Sequence, residues 1–137
     1  MPARLALPAA ALLMAAAVAL GAFGAHALKA RLTPDALALW QTGVNYHAWH
    51  ALGLLATATL MLHFADRRTL RYAAGLFAAG IVLFSGSLYA LSLGAPRAFG
   101  AVTPFGGVAF IAGWIALALG VARRRERGAA NGISTGE

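Results

Sequence analysis

Gln41-Thr42-Gly43-Val44-Asn45-Tyr46-His47-Ala48-Trp49-His50 stands in a chain made largely of Ala, Leu, Gly and Val. It holds two of the four histidines, and the residues after it run mostly apolar as far as Ala65. Read as the opening of a hydrophobic helix, the stretch puts imidazoles, an amide and a phenol at or just inside a lipid boundary. Polar groups there are costly unless paired. The stretch therefore decides what kind of object the chain is and where any chemistry would gather.

The 137 residues are 61% hydrophobic and 11% charged, with a mean hydropathy of +0.73. Soluble domains carry about 25% charged residues. The charges sit in short clusters separated by four apolar runs, about 5–25, 44–65, 72–93 and 103–122. Each run is near the ~20 residues a helix needs to cross a bilayer. The predicted fold is an all-α membrane protein: four transmembrane helices in a compact bundle, one domain over 1–125, and a disordered cytoplasmic tail over 126–137. The net charge of +7 does not point to nucleic acid, because the basic residues lie at span ends, where the positive-inside rule puts them. The chain has no cysteine, which excludes disulfides, thiolate metal sites and cysteine nucleophiles.

Upstream, span one follows Arg4 and carries Ala10, Ala17, Gly21 and Gly24 on one stripe, a pattern that lets helices approach closely in lipid. Ala25-His26-Ala27 has the form of a signal cleavage site, but the apolar run before it is long for a signal core. Thr33-Pro34-Asp35 is a helix start: a capping hydroxyl, proline in the first turn, then an acid. Leu37, Trp40 and Val44 follow at helical spacing. They predict a short amphipathic helix, about 34–42, lying at the interface with Trp40 as anchor. That helix either bends at Gly43 or runs straight into span two.

Within span two, Tyr46, His50, Gly53 and Thr57 share a stripe that should face other helices. His47 sits about 60° to its side, by the 3.6-residue helical repeat. Trp49 has a depth suited to an interfacial aromatic, and His63 can snorkel. Asp66 to Arg71 is a short basic loop. Span three carries Ala78, Ser85, Tyr89 and Ser92 as its small and polar stripe. Gly94 to Val102 reads as a turn-rich loop, and Thr103-Pro104 repeats the helix start. Gly106, Ala109, Gly113, Ala116 and Gly120 make the strongest packing stripe. Trp114 belongs to the bundle or the lipid face, and Arg123-Arg124-Arg125-Glu126-Arg127 stops the last span.

Four spans place Arg4, Arg67, Arg68, Arg71, Arg123, Arg124, Arg125 and Arg127 on one side, against Lys29, Arg31 and Arg97 on the other. The bias predicts that both termini are cytoplasmic. The intramembrane polar groups then collect in the outer leaflet half: His26, Tyr46, His50, Ser85, Ser87 and Tyr89. Any pocket would open outward there, under the amphipathic helix.

Taken in order, Gly21-Ala22-Phe23-Gly24-Ala25-His26, Gln41-Thr42-Gly43 with Tyr46 and His50, Phe84-Ser85-Gly86-Ser87-Leu88-Tyr89, and Thr103-Pro104 with Gly106-Gly107 and Gly113-Trp114 form a set of motifs. The set resembles a family of small bacterial membrane proteins, domain-of-unknown-function family 423, the YgdD/YwdK-like group, which has eukaryotic relatives. The resemblance covers about residues 5–122. It implies a four-span plasma-membrane protein with span one retained, and it implies no activity. His47 is not part of that family's pattern.

Several chemistries can be set against this polar cluster. His26, His47 and His50 could be drawn around zinc, copper or a haem, but no intramembrane carboxylate or thiolate joins them. Ser85 or Ser87 with His50 and Asp35 could be drawn as a hydrolytic triad, without a nucleophile elbow to support it. A channel, single or oligomeric, finds no midplane charge. A lipid, quinone or small apolar ligand could sit in an outward pocket against His50 and Tyr89. The main expectation is a non-enzymatic protein without cofactor or metal: a subunit or assembly factor of a larger membrane complex, a homo-oligomer, or a protein acting on the bilayer.

Overall fold

The computed structural model describes residues 1–63 and 67–132, the side chains of Arg67 and 123–132 excepted. All regular structure among them is helical. α1 spans Ala3–Phe23 and widens into a π turn at Gly24–Leu28. α2 spans Pro34–His63. α3, Arg67–Gly80, passes through a second π turn, Ile81–Ser85, into α4, Gly86–Ser92. A 3₁₀ turn at Arg97–Ala101 leads into α5, Thr103–Gly132.

Three stretches are long and apolar enough to cross a membrane: Ala3–Leu28, Arg68–Ser92 and Arg97–Ala122, with mean hydropathies of 2.2, 1.8 and 2.1. α2 is not among them. Gln41, Asn45, Tyr46, His47 and His50 lower its apolarity, so the predicted span over 44–65 does not stand out by composition alone.

The predicted separate interfacial helix over 34–42 is absent. Its residues are the first turns of the 30-residue α2, which passes Gly43 without a break. The start is as the sequence predicts: the Ala36 N–H donates to Thr33 Oγ1 at 3.3 Å. Gly43 is spent on contact, not on a bend. A Cβ there would lie 2.8 Å from Tyr89 Cε1, so the missing side chain admits the ring.

Trp40 also departs from its predicted role as an interfacial anchor. It is 3% exposed, and its Nε1 donates to the Leu20 carbonyl at 2.9 Å. The indole is inserted between the end of α1 and Tyr89 because Gly24 leaves the space: a Cβ on Gly24 would meet the indole at 2.7 Å. Burial of the ring with its donor satisfied outweighs an exposed interfacial position.

Spatial order follows chain order. α1 lies chiefly on α2, α2 on α3 and α4, and α5 chiefly on α3. The packing is a sequence of neighbouring helices more than a closed ring. In the apolar stretches only 17% of α1 and 22% of α5 is buried, against 39% of α3 with α4. The outer helices present apolar side chains outward, and α2 lies among the inner ones.

α2 buries two adjacent stripes for this reason. Trp40, Val44, His47, Ala51, Leu54, Ala58 and Met61 recur every seven residues, and Gly43, His50, Gly53 and Thr57 run beside them. The core joins Leu54 and Met61 to Leu70, Phe77, Ile81 and Phe110.

α3 with α4 meets α5 at a contact that only glycine allows. A Cβ on Gly106 would lie 2.3 Å from the Phe84 backbone nitrogen. After α4, Gly94 takes φ +91, Ala95 N–H reaches Ala90 O and Gly94 N–H reaches Leu91 O. These bonds close the helix with the glycine-dependent pattern of a Schellman motif.

α5 continues through the arginine run to Gly132, past the predicted span end at 122. Residues 126–132 of the predicted disordered tail are thus helical, and 133–137 lie outside the described residues.

Candidate functional site

The polar residues of α2, α4 and the start of α5 sort into three small groups, each at a helix junction. The first joins α2 to α4. Tyr89 packs against Trp40 with its ring tilted 47°, at 4.7 Å between ring centroids, and its hydroxyl lies 3.2 Å from His47 Nδ1. His47 is 5% exposed. With the phenol donating to Nδ1, the neutral imidazole carries its proton on Nε2. That nitrogen is buried without a partner of good geometry, although the Leu13 backbone of α1 is close by.

The second group is aromatic and faces α5. His50 Nδ1 donates to the Tyr46 carbonyl at 2.7 Å. This leaves Nε2 as the lone-pair nitrogen of a neutral ring. The imidazole lies flat on Phe110 at 3.4 Å and 13°, with Phe77 and Trp114 near its rim. Tyr46 stacks on Phe84 at 4.5 Å. Gly53 gives Trp114 its place, since a Cβ there would approach the indole to 3.1 Å.

The third group ties α4 to α5. Ser87 Oγ donates to the Phe84 carbonyl at 2.9 Å and accepts from Thr103 Oγ1 at 2.8 Å. Thr103 was predicted to cap α5. Its hydroxyl is used across the junction instead, and the Val102 carbonyl receives the first N–H groups of the helix. Ser92 donates to the Tyr89 carbonyl at 2.9 Å. Ser85 is fully buried with its Oγ unpartnered.

Of the six predicted site residues, Tyr46 and His50 share one group, while Tyr89 and Ser87 each belong to another. Ser85 lies in the second π turn among buried residues. His26 is not brought in: it lies exposed on the first π turn. Among the described residues no three His, Asp or Glu side chains come together as a metal set. The cavities that stand out lie elsewhere, at Trp114 to Ala122, at Met1 with Arg68, Arg71 and Tyr72, and at Ala98 to Val102.

His47 and Trp40, which sequence reasoning placed outside the predicted cluster, and Phe110, which it did not weigh, belong to these groups. A signal for the first two was present. Trp40, Val44 and His47 continue into Ala51, Leu54 and Ala58 at alternating spacings of four and three, the mark of a buried seam.

A helical chain of this apolarity, with its polar side chains paired at helix junctions, is a small membrane protein. It belongs to the family described as protein of unknown function (DUF423), whose family model matches residues 20–107. The match includes the first and third groups and, of the second, Tyr46, His50, Phe77 and Phe84, while Phe110 and Trp114 lie beyond it. The chain is 52% identical over 99 residues to UPF0382 membrane protein YwdK of Bacillus subtilis, covering 72% of this chain and 80% of that protein. It is 42% identical over 114 residues to UPF0382 inner membrane protein YgdD of Escherichia coli, covering 81% and 84%. A Staphylococcus saprophyticus relative, UPF0382 membrane protein SSP2132, is 43% identical over 104 residues, covering 76% and 85%. No solved structure matches the chain.

Proposed function

We propose that the protein is a four-span component of the bacterial inner membrane with a non-catalytic role, as a subunit or assembly factor of a larger membrane complex. In this reading α2 is the fourth crossing, carried through lipid by its neighbours, and both termini are cytoplasmic. The eight-to-three arginine and lysine bias supports that orientation.

The observation that carries the reading is how the polar groups are spent. Tyr89 goes to His47, Tyr46 O to His50, Thr103 to Ser87 and Leu20 O to Trp40. Each pairing closes a helix or a helix junction. Such bonds are worth roughly 0.6 kcal/mol each in membranes, enough to fix register and too little to be a ligand site's chief asset.

A second reading is favoured by one observation. His47 Nε2 and Ser85 Oγ are buried without partners, so a polar end of a lipid, quinone or other small apolar ligand could satisfy one of them.

His47→Ala, which removes both the Tyr89 pairing and one of the unpartnered atoms, separates the two. A native mass spectrum of the protein in mild detergent should show the bare chain or a small multiple of it. The variant should melt at a lower temperature and lose no bound mass. A reproducible extra mass that vanishes in His47→Ala, with the melt unchanged, would instead establish the ligand reading.

A further inference from the structure

The charged cleft at the start of α1 and α3 is not used by the polar cluster. It measures about 350 Å³ and is lined by Met1, Arg68, Arg71 and Tyr72. α1 and α3 begin side by side there, because the Met1 nitrogen donates to the Arg71 carbonyl at 2.9 Å. The apolar stretches of both helices start at this level, at Ala3 and Arg68, so the cleft sits where hydrocarbon gives way to headgroups.

Its electrostatics are one-sided. Neither helix has an acid in its first turn, although helix amino ends favour negative charge. Asp35, the only carboxylate among the described side chains, starts α2 at the opposite end. Arg4, Arg67, Arg68 and Arg71 outnumber Asp66 in the sequence around this end. Burial, and then the Arg71 guanidinium, hold the Met1 amine below its usual range. Arg68 shares a side-chain hydrogen bond with Tyr72, which holds the guanidinium and a phenol at the same wall.

We propose that this cleft binds a phosphate group, supplied by the headgroup of an anionic phospholipid. Guanidinium forks match phosphate oxygens two at a time, and basic pockets between membrane helices suit such headgroups. The inference stands apart from the role proposed above, since it concerns a different end of the molecule and neither orientation nor partner enters it.

The test is a native mass spectrum of the full chain in mild detergent with equal amounts of phosphatidylglycerol and phosphatidylcholine. The wild type should carry phosphatidylglycerol in roughly tenfold excess. Arg68→Gln with Arg71→Gln should bring the two lipids level while the melting temperature is kept. Arg4→Gln, at the same end but outside the cleft, should leave the excess nearly unchanged.

Adding inorganic phosphate at millimolar concentration distinguishes the source. Retention of the lipid assigns the site to the headgroup. Displacement by phosphate that binds the wild type and not the double variant assigns it to the free ion. No lipid preference in the wild type, or an equal loss in Arg4→Gln, overturns the proposal. Should the double variant fail to fold, the wild-type preference and Arg71→Lys decide. The lysine keeps the charge and loses the fork, so an undiminished excess in that variant counts against the cleft.

Discussion

At the scale of single residues, His47 and Tyr89 show what a buried polar pair demands. His47 Nδ1 faces the Tyr89 hydroxyl, and its Nε2 has no partner of good geometry, only the Leu13 backbone close by. Tyr89→Phe keeps the ring against Trp40 and Gly43 and removes only the oxygen. The imidazole is then buried with Nδ1 unpaired. A lost partner in a buried site costs about 1–3 kcal/mol, and membrane pairs fall at the low end. The expected outcome is a destabilisation of about 1 kcal/mol, read as a shift in detergent-induced unfolding. Trp40→Phe should cost a similar amount by leaving the Leu20 carbonyl without the indole donor.

At the scale of elements, the junction of α5 with α3 and α4 depends on one absent methyl group. A Cβ on Gly106 would strike the Phe84 backbone at nitrogen and Cα, 2.3 and 2.7 Å away. Backbone cannot turn aside as a side chain can, so the helices must separate. Gly106→Ala should cost about 1–3 kcal/mol. Gly107→Ala is the control: its nearest atoms, on the Phe84 ring, are 3.9 Å away, and the change should stay within about 0.5 kcal/mol. Thermal melts of the two variants side by side check both.

Much of this level was legible before the structure. Thr33-Pro34-Asp35 marked the start of α2, because caps act locally. Gly106, Gly113 and Gly120 marked the packed face of α5, because close approach needs small residues at regular spacing. The two π turns were not legible, since inserting one residue into a helix leaves no compositional trace. Trp40 misled for a physical reason as well. An indole suits both an interface and a buried slot with an acceptor, and only the position of Leu20 and Gly24 on another helix decides between them. The site was half-legible on the same terms. The Tyr46 and His50 stripe follows from periodicity, whereas the pairing of Tyr89 with His47 needs the register of two helices. His26 was drawn in by its position at a span end, and the π turn leaves it exposed.

At the scale of the whole molecule, α2, which apolarity alone does not mark as a span, lies among the helices that it does mark. In the proposed topology, that arrangement lets α2 cross although its own composition does not mark it as a span. The alternative is an α2 that lies outside the hydrocarbon, with the chain crossing three times. Because the chain has no cysteine, single cysteines report sidedness cleanly. Lys29→Cys precedes α2 and Arg68→Cys follows it. In intact cells a membrane-impermeant maleimide should label Lys29→Cys alone, and Arg68→Cys should react only after the membrane is opened. Labelling of both positions from the same side would mean that α2 does not cross, and would contradict the account.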